Sequence, residues 1–275
     1  MKYRLIAIDM DGTLLNSENK VSRRNMETLH KAIEAGVYIV LSTGRILRSA
    51  LYFSKAMDLK NPIIACNGAV VSCGDERDII YENALERAAA KELMELAEEN
   101  DMYYHFYDIN TFYTRIVNEE MAKCYKSYED NSEKQQINFQ ILEDPMKVLE
   151  RDNAQIYKFV FIEEDRNKLA HFRDRLKSID GINISSSWYN NVEVMNTGVS
   201  KGEGLKQLCK TLDIDRTEVV AIGDNENDIP MFQMAGLAVA MENGDEIIRE
   251  HSHVITDTND QDGVAKAIEK YVLNL

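Results

Sequence analysis

Apolar residues come in short unbroken runs near both ends of the chain, with amphipathic stretches between them. Leu5-Ile6-Ala7-Ile8 is the first run, and residues 4–9 are expected to form a strand. Residues 22–36 follow a helical period instead: Ser22 stands as a cap, Leu29 and Ile33 face inward, and Gly36 stops the helix. Residues 37–41 read as a second strand; Ser42-Thr43-Gly44-Arg45 then leads into a helix ending near Ala56, and residues 62–65 make a third strand. Unbroken apolar runs suit parallel strands buried on both faces, and strand–helix–strand order implies right-handed crossovers. Asn67-Gly68, between Ile63-Ile64-Ala65 and Ala69-Val70-Val71, is a two-residue hairpin signal.

The pattern changes in the middle. Residues 86–100 form an amphipathic helix with Leu93, Leu96 and Ala97 on one side, and residues 102–107 and 111–117 are aromatic-rich strands. The polar stretch 128–136 reads as a loop or helix end; a strand at 155–162, a helix at 166–179 and strands at 183–187 and 192–195 follow. Strands clustered in pairs point to an antiparallel α+β unit. After Ser200 the first pattern returns: helix 201–212, strand 219–222 ending in Gly223-Asp224, helix 227–234 with Pro230 near its first turn, strand 237–241, helix 245–250, strand 254–256 and a closing helix 262–272 with Asp262 as its cap. The expected fold class is therefore α/β, with a discontinuous parallel-sheet domain (residues 1–83 and 195–275) interrupted by an α+β lobe at 84–194. The connections near Asn83 and Asn196 are the candidate hinges.

Composition adds limits. The net charge of -15 repels nucleic acid and anionic lipid, so any anion site must carry local positive charge. No 18-residue apolar run exists, and Met-Lys-Tyr-Arg leads directly into a strand pattern without a signal-peptide core. Cys66, Cys73, Cys124 and Cys209 lack Cys-x-x-Cys spacing and read as reduced thiols of a cytoplasmic protein, although Cys66 and Cys73 flank the hairpin. His30, His105, His171, His251 and His253 show no metal-ligand spacing.

Candidate chemistry sits at the strand ends. In open parallel sheets, ligands bind beyond the carboxyl ends of the strands. Asp9 and Asp11 follow the first strand, Ser42-Thr43-Gly44 the second, and Asp224 to Asp228 a later one, while Lys201 opens a helix nearby. A carboxylate leaving a dry strand end is badly placed for stability, and a site needing a hard cation and an anionic nucleophile accounts for it. Each residue also has a plainer reading. Thr43, Asp224 and Asp228 can cap helices, Lys201 can be solvated, Arg45 can form a surface salt bridge, and Asn67 and Gly68 can simply turn a hairpin. The aromatics at 102–107 and Trp188-Tyr189 can line a pocket or fill a core.

The segments DMDGTLL (9–15), LSTGR (41–45), NGA (67–69), EVMNTGVSKG (193–202), GDNENDIPMF (223–232), VAMENG (239–244) and DGVAKAI (262–268) resemble the haloacid dehalogenase superfamily of phosphotransferases, in particular its Cof-type members. The resemblance implies a Rossmann-like core with an inserted α+β cap of the large C2 type. It implies Asp9 as nucleophile, Asp11 as general acid and base, and Mg2+ held by Asp9, Asp224 and the Asp11 backbone carbonyl. Met10 N–H, the Thr43 hydroxyl, Gly44 N–H, Asn227 and Lys201 would hold phosphoryl oxygens, with Asp228 orienting Lys201 or a metal-bound water. Arg45, Asn67 and Gly68 are candidates for contact with substrate. The implied activity is hydrolysis of small phosphorylated metabolites such as sugar phosphates, in a monomer or dimer with no nucleic-acid or membrane partner. The alternatives are a phosphomutase on the same fold, a signalling receiver, or an idle protein that binds phosphate and Mg2+.

Overall fold

The computed structural model describes residues 2–115 and 137–275. Along the first part of the chain lie β1 (Leu5–Ile8), α1 (Arg23–Glu34), β2 (Tyr38–Ser42), α2 (Leu47–Ala56), β3 (Ile63–Ala65), β4 (Val70–Ser72) and β5 (Ile79–Glu82). Then come α3 (Arg87–Glu99), β6 (Tyr103–Tyr107), β7 (Thr111–Thr114), β8 (Asn138–Ile141), α4 (Met146–Leu149), β9 (Lys158–Ile162), α5 (Arg166–Leu176), β10 (Ile182–Ser185) and β11 (Asn191–Asn196). The rest is α6 (Lys201–Leu212), β12 (Val219–Gly223), α7 (Ile229–Met234), β13 (Leu237–Met241), α8 (Glu246–Glu250), β14 (Val254–Thr256) and α9 (Gly263–Ile268).

The strands form two sheets. The core lobe has the order β14-β13-β12-β1-β2-β3-β4-β5, parallel from β14 to β3, with β4 and β5 added antiparallel. β1 sits at the centre between β12 and β2, which puts Asp9 beside the end of β12. Side chains alternate across the strand: Ile6 and Ile8 join one buried cluster with Leu29 of α1, while Leu5 and Ala7 join another with Leu205 and Leu208 of α6. Each such fully buried Leu or Ile contributes roughly 1.5–3 kcal/mol of transfer free energy. The cap lobe has the order β10-β11-β9-β6-β7-β8, antiparallel except for the β7–β8 pair. α3 and α5 pack on one face of it through Leu93, Leu96 and Phe172. The two connections between lobes run side by side, and Asn196 Nδ2 donates to Asn83 Oδ1 at 2.6 Å.

Several expectations need adjustment. The Asn67-Gly68 hairpin is wider than two residues: Ala65 pairs with Val70, so Cys66 to Ala69 make the turn. The cause is a one-turn 3-10 segment, Cys66–Gly68, in which Cys66, Asn67 and Gly68 all have positive φ. Asp262 precedes α9 in the left-handed conformation, but its side chain caps no helix N–H. Trp188 and Tyr189 fill no core; both are exposed and tilt against each other. β5, β8 and α4 were not anticipated from the pattern. The 128–136 stretch, residues 116–117 of the second aromatic strand and Cys124 lie outside the described residues. Cys66, Cys73 and Cys209 are free thiols. Among the described residues no helix is long and apolar enough to cross a membrane.

Candidate active site

Asp9 extends β1 by one residue, its N–H donating to Ile222 O of β12 at 3.0 Å. The chain then turns sharply at Gly12, whose φ of +82° suits glycine, and a Cβ there would lie 2.4 Å from Asp224 Oδ2. This close approach brings the loops after β1 and β12 together. Thr13 Oγ1 donates to Asp224 Oδ1 at 2.6 Å, and Asn225 Nδ2 donates to Asp224 Oδ2 at 2.8 Å. Lys201 is the first residue of α6, behind a Ser200 cap that accepts from Glu203 N. Its Nζ donates to Asp9 Oδ1 at 2.5 Å and to Asp228 Oδ1 at 2.6 Å. The other Asp228 oxygen accepts from the N–H groups of Asp224 and Asn225, at 2.9 and 3.1 Å. Asp228 thus ties Lys201 to the β12 loop.

Asp9, Asp224, Asp228 and Lys201 are each at most 5% exposed. Three carboxylates against one ammonium leave an excess of two negative charges in a dry place, if all are ionised. Burial accordingly pushes the Asp9 carboxyl well above its ordinary range; Lys201 opposes the shift, while Asp228, Asp224 and Asp11 add to it. Burial, reinforced by Asp228, pushes Asp224 up to about 7 against the pull of Thr13 and Lys201. Lys201 is held protonated, because Asp228 and Asp9 outweigh its desolvation. Oxygen atoms of Asp9, Asp224 and Asp228 lie within 4.8 Å of one another. Hard oxygen donors with this charge excess fit a divalent cation such as Mg2+. The Asp228 oxygens accept from Lys201 and two N–H groups, and each Asp224 oxygen from one side chain.

Asp11 lies apart from this cluster. Arg45 holds its carboxylate with two hydrogen bonds, one of 2.7 Å from Nε and a second from Nη2. The Asp11 side chain is 52% exposed and that of Arg45 24%. The Arg45 guanidinium also covers the Phe53 ring, 4.9 Å from its centroid. Thr43 is fully buried, and its hydroxyl accepts from Arg45 N at 3.2 Å. Its carbonyl accepts from Asn67 N at 3.0 Å, while Cys66 N donates to Arg45 O at 2.9 Å, so the loops after β2 and β3 are cross-linked. Asn227 Nδ2 reaches Asn67 Oδ1 at 3.2 Å. Met10 is buried within the β1 loop. Gly68 has a packing reason: a Cβ there would lie 2.0 Å from Ser200 O, at the start of α6.

The sequence reading missed four groups next to these residues. Thr13 and Asn225 orient Asp224. Lys158 of β9 donates to Gly44 O at 2.7 Å, and Glu193 of β11 accepts from Asn67 Nδ2 at 2.6 Å. Thr13, Asn225 and Glu193 lay inside quoted motifs and could have been found there. Lys158 gave a weaker signal, a lone charge in the apolar run Lys158-Phe159-Val160-Phe161-Ile162. His105, left unassigned, is buried, and its ring nitrogens meet the Tyr103 and Tyr107 hydroxyls at 3.0 and 2.9 Å. Burial and nearby Lys158 push its pKa down to about 3, so it is neutral.

Comparison with known proteins places this geometry. A family model described as haloacid dehalogenase-like hydrolase matches residues 6–268. A 5-amino-6-(5-phospho-D-ribitylamino)uracil phosphatase from Bacillus subtilis is 31% identical over 270 residues, covering 98% of this chain and 96% of that protein. A pyridoxal phosphate phosphatase from Escherichia coli is 26% identical, covering 99% of this chain and 100% of that protein. The solved structure of a haloacid dehalogenase-like hydrolase from B. subtilis superposes with a TM-score of 0.87 at 29% identity, covering 99% of this chain and 100% of that one.

Proposed function

Because the chain belongs to the Cof-type haloacid dehalogenase-like hydrolases, we propose that it hydrolyses phosphate monoesters of small metabolites through a phosphorylated Asp9. The observation that carries this reading is the meeting of Asp9, Asp224, Asp228 and Lys201 in one buried cluster. Asp9 is the nucleophile. Its carboxylate attacks phosphorus, the ester oxygen leaves, and a water later releases phosphate from the aspartyl group, so one difficult step becomes two. Lys201 balances charge on Asp9 and on the incoming phosphoryl group. Asp228 holds that ammonium in place.

Asp11 protonates the leaving oxygen and afterwards takes a proton from the attacking water. Arg45 occupies both of its carboxylate oxygens, so the acid role requires Asp11 to exchange Arg45 for the ester. Met10 N–H, Gly44 N–H, the Thr43 hydroxyl and Asn227 hold the phosphoryl oxygens. Asp9, Asp224 and the Asp11 carbonyl would hold Mg2+, which would supply the positive charge that lets one anion approach another. The names of the two curated relatives, one acting on a phosphoribitylamino compound and one on pyridoxal phosphate, support small phosphorylated metabolites as the substrate class. Sugar phosphates belong to that class.

The test is a screen of phosphorylated metabolites with Mg2+, following release of free phosphate, with wild type beside Asp9→Asn. Wild type is expected to turn over several esters, and the variant to lose at least about 1000-fold in kcat, the scale seen when a covalent nucleophile is removed. Comparable phosphate release by both forms would sink the proposal. Conversion of substrate to an isomer without free phosphate would identify a mutase instead.

A further inference from the structure

The cap sheet has two unlike faces. Phe159 and Phe161 of β9, Val192 and Val194 of β11, and Tyr104 and Phe106 of β6 all turn to the core under α3 and α5. The alternate positions carry His105, Lys158 and Glu193, exposed by only 6%, 2% and 2%. Register places them together: Lys158 stands opposite Tyr107, and Glu193 opposite Val160, one diagonal step from Lys158. Lys158 Nζ and Glu193 Oε1 are 2.7 Å apart. These charges lie on the face away from the cap's own apolar core; Ser187 of the cap donates to Glu193 Oε1 at 2.9 Å, and the other hydrogen bonds come from the core lobe. Lys158 Nζ donates to Gly44 O, Glu193 Oε2 accepts from Asn67 Nδ2, and a Cβ on Gly44 would lie 2.9 Å from Lys158 Nζ.

A buried ion pair contributes little net stability compared with apolar side chains of the same size. It has a different property useful at a moving joint. Charged groups are well solvated when two lobes separate and make directional bonds when they meet, whereas an apolar patch would be left exposed on opening. The groups reached here are also special. Cys66, Asn67 and Gly68 hold φ of +48°, +56° and +95°, three successive residues in the left-handed half of the map. Such a turn persists only when its surroundings hold it. Asn67 is held on one side by Glu193 and on the other by Asn227.

We propose that the Lys158–Glu193 pair is a docking latch through which the seated cap holds the Gly44 and Asn67 loops in the geometry that receives the phosphoryl group. Lys158 and Glu193 are then positioning residues that act through the loops. The proposal rests on the reading of those loops as part of a phosphatase site.

Two measurements test it. In the first, hydrogen–deuterium exchange compares wild type with Lys158→Met and Glu193→Gln. The Cys66 and Asn67 amides, which donate to Arg45 O and Thr43 O, should exchange about tenfold faster or more in both variants while the cooperative thermal transition is retained. Unchanged exchange at these amides overturns the latch, whether or not the protein turns over any ester. In the second, kcat/KM is measured on p-nitrophenyl phosphate and acetyl phosphate. Lys158→Met should lose about tenfold or more on both, and Lys158→Arg should stay within about threefold of wild type. Glu193→Gln and Asn67→Ala should be non-additive, the double variant losing no more than the worse single one.

A loss confined to the bulkier ester would overturn the latch, making the pair a direct contact for the leaving group. Full additivity would overturn it as well. If wild type itself hydrolyses nothing, the phosphatase reading fails, and the exchange comparison still decides the latch. Should Lys158→Met fail to fold, Glu193→Gln, which keeps the side chain's size, carries both measurements.

Discussion

Lys201 shows how single residues carry this site. Its ammonium sits between Asp9 and Asp228, a cation at the dry end of two strands where a lone carboxylate would otherwise take up a proton. The sequence made this residue and its partners legible because each ends an apolar run or opens a helix, and a charge there demands a reason. The roles of Lys158 and of Glu193, though Glu193 opens a quoted motif, were not legible, because their reason is a loop more than a hundred residues away in the sequence, and a charge on a strand normally means a face open to water. Gly68 was read for its turn, and its second role, the contact with Ser200 O, exists only in three dimensions. Gly68→Ala forces a Cβ to within 2.0 Å of that backbone oxygen at a φ of +95°. We expect a loss of roughly 2–3 kcal/mol in stability by urea unfolding, from strain and overpacking together. Activity should fall too, because Ser200 positions Lys201. A variant as stable as wild type would show that the turn and α6 can move apart freely.

Among the elements, agreement with the expected bounds does not follow length. α6, β13 and β14 have the bounds read from sequence, and α1 begins one residue after its Ser22 cap. Leu29 anchors α1 in the core, fully buried against strands β1 and β2. Leu29→Ala should lower stability by about 2–5 kcal/mol, and Ser22→Ala by about 1 kcal/mol, in equilibrium denaturation. Equal effects from the two would mean that capping, not packing, fixes this helix. The unforeseen elements fail the pattern for physical reasons. β5 and β8 are four-residue edge strands, partly exposed, with little burial to impose alternation. α4 has a single turn, too short to display a period. The hairpin misled because Asn-Gly favours a two-residue turn, whereas tertiary contacts to Asn67 stabilise a longer one.

At the scale of the molecule, one lobe holds the reactive cluster at the ends of its strands and the other presents a polar face to the loops around it. The α/β order was readable because parallel strands must be apolar throughout. The two-faced cap sheet was harder to read, since its aromatic residues occur on both faces: Tyr104 and Phe106 inward, Tyr103 and Tyr107 beside His105. The acidic cluster has a consequence for the whole fold. A cation that binds the native cluster and not the unfolded chain stabilises the protein by mass action, by about 2.7 kcal/mol at a hundred times its Kd. Mg2+ should therefore raise the midpoint of thermal unfolding by several degrees over chelator-treated protein, and Asp224→Asn should abolish most of that rise. An equal rise in the variant would place the cation elsewhere.

The claim on which the rest depends is that Asp9 itself carries the phosphoryl group. The most direct measurement is peptide mass spectrometry of Asp11→Asn protein, acid-quenched during turnover of a phosphate ester with Mg2+, since that substitution slows hydrolysis of the intermediate. The account predicts one phosphoryl adduct, on the peptide containing Asp9, and none in the Asp9→Asn protein. Phosphate release by wild type with no adduct on Asp9 in the trapped protein, or with the adduct on another residue, would contradict it.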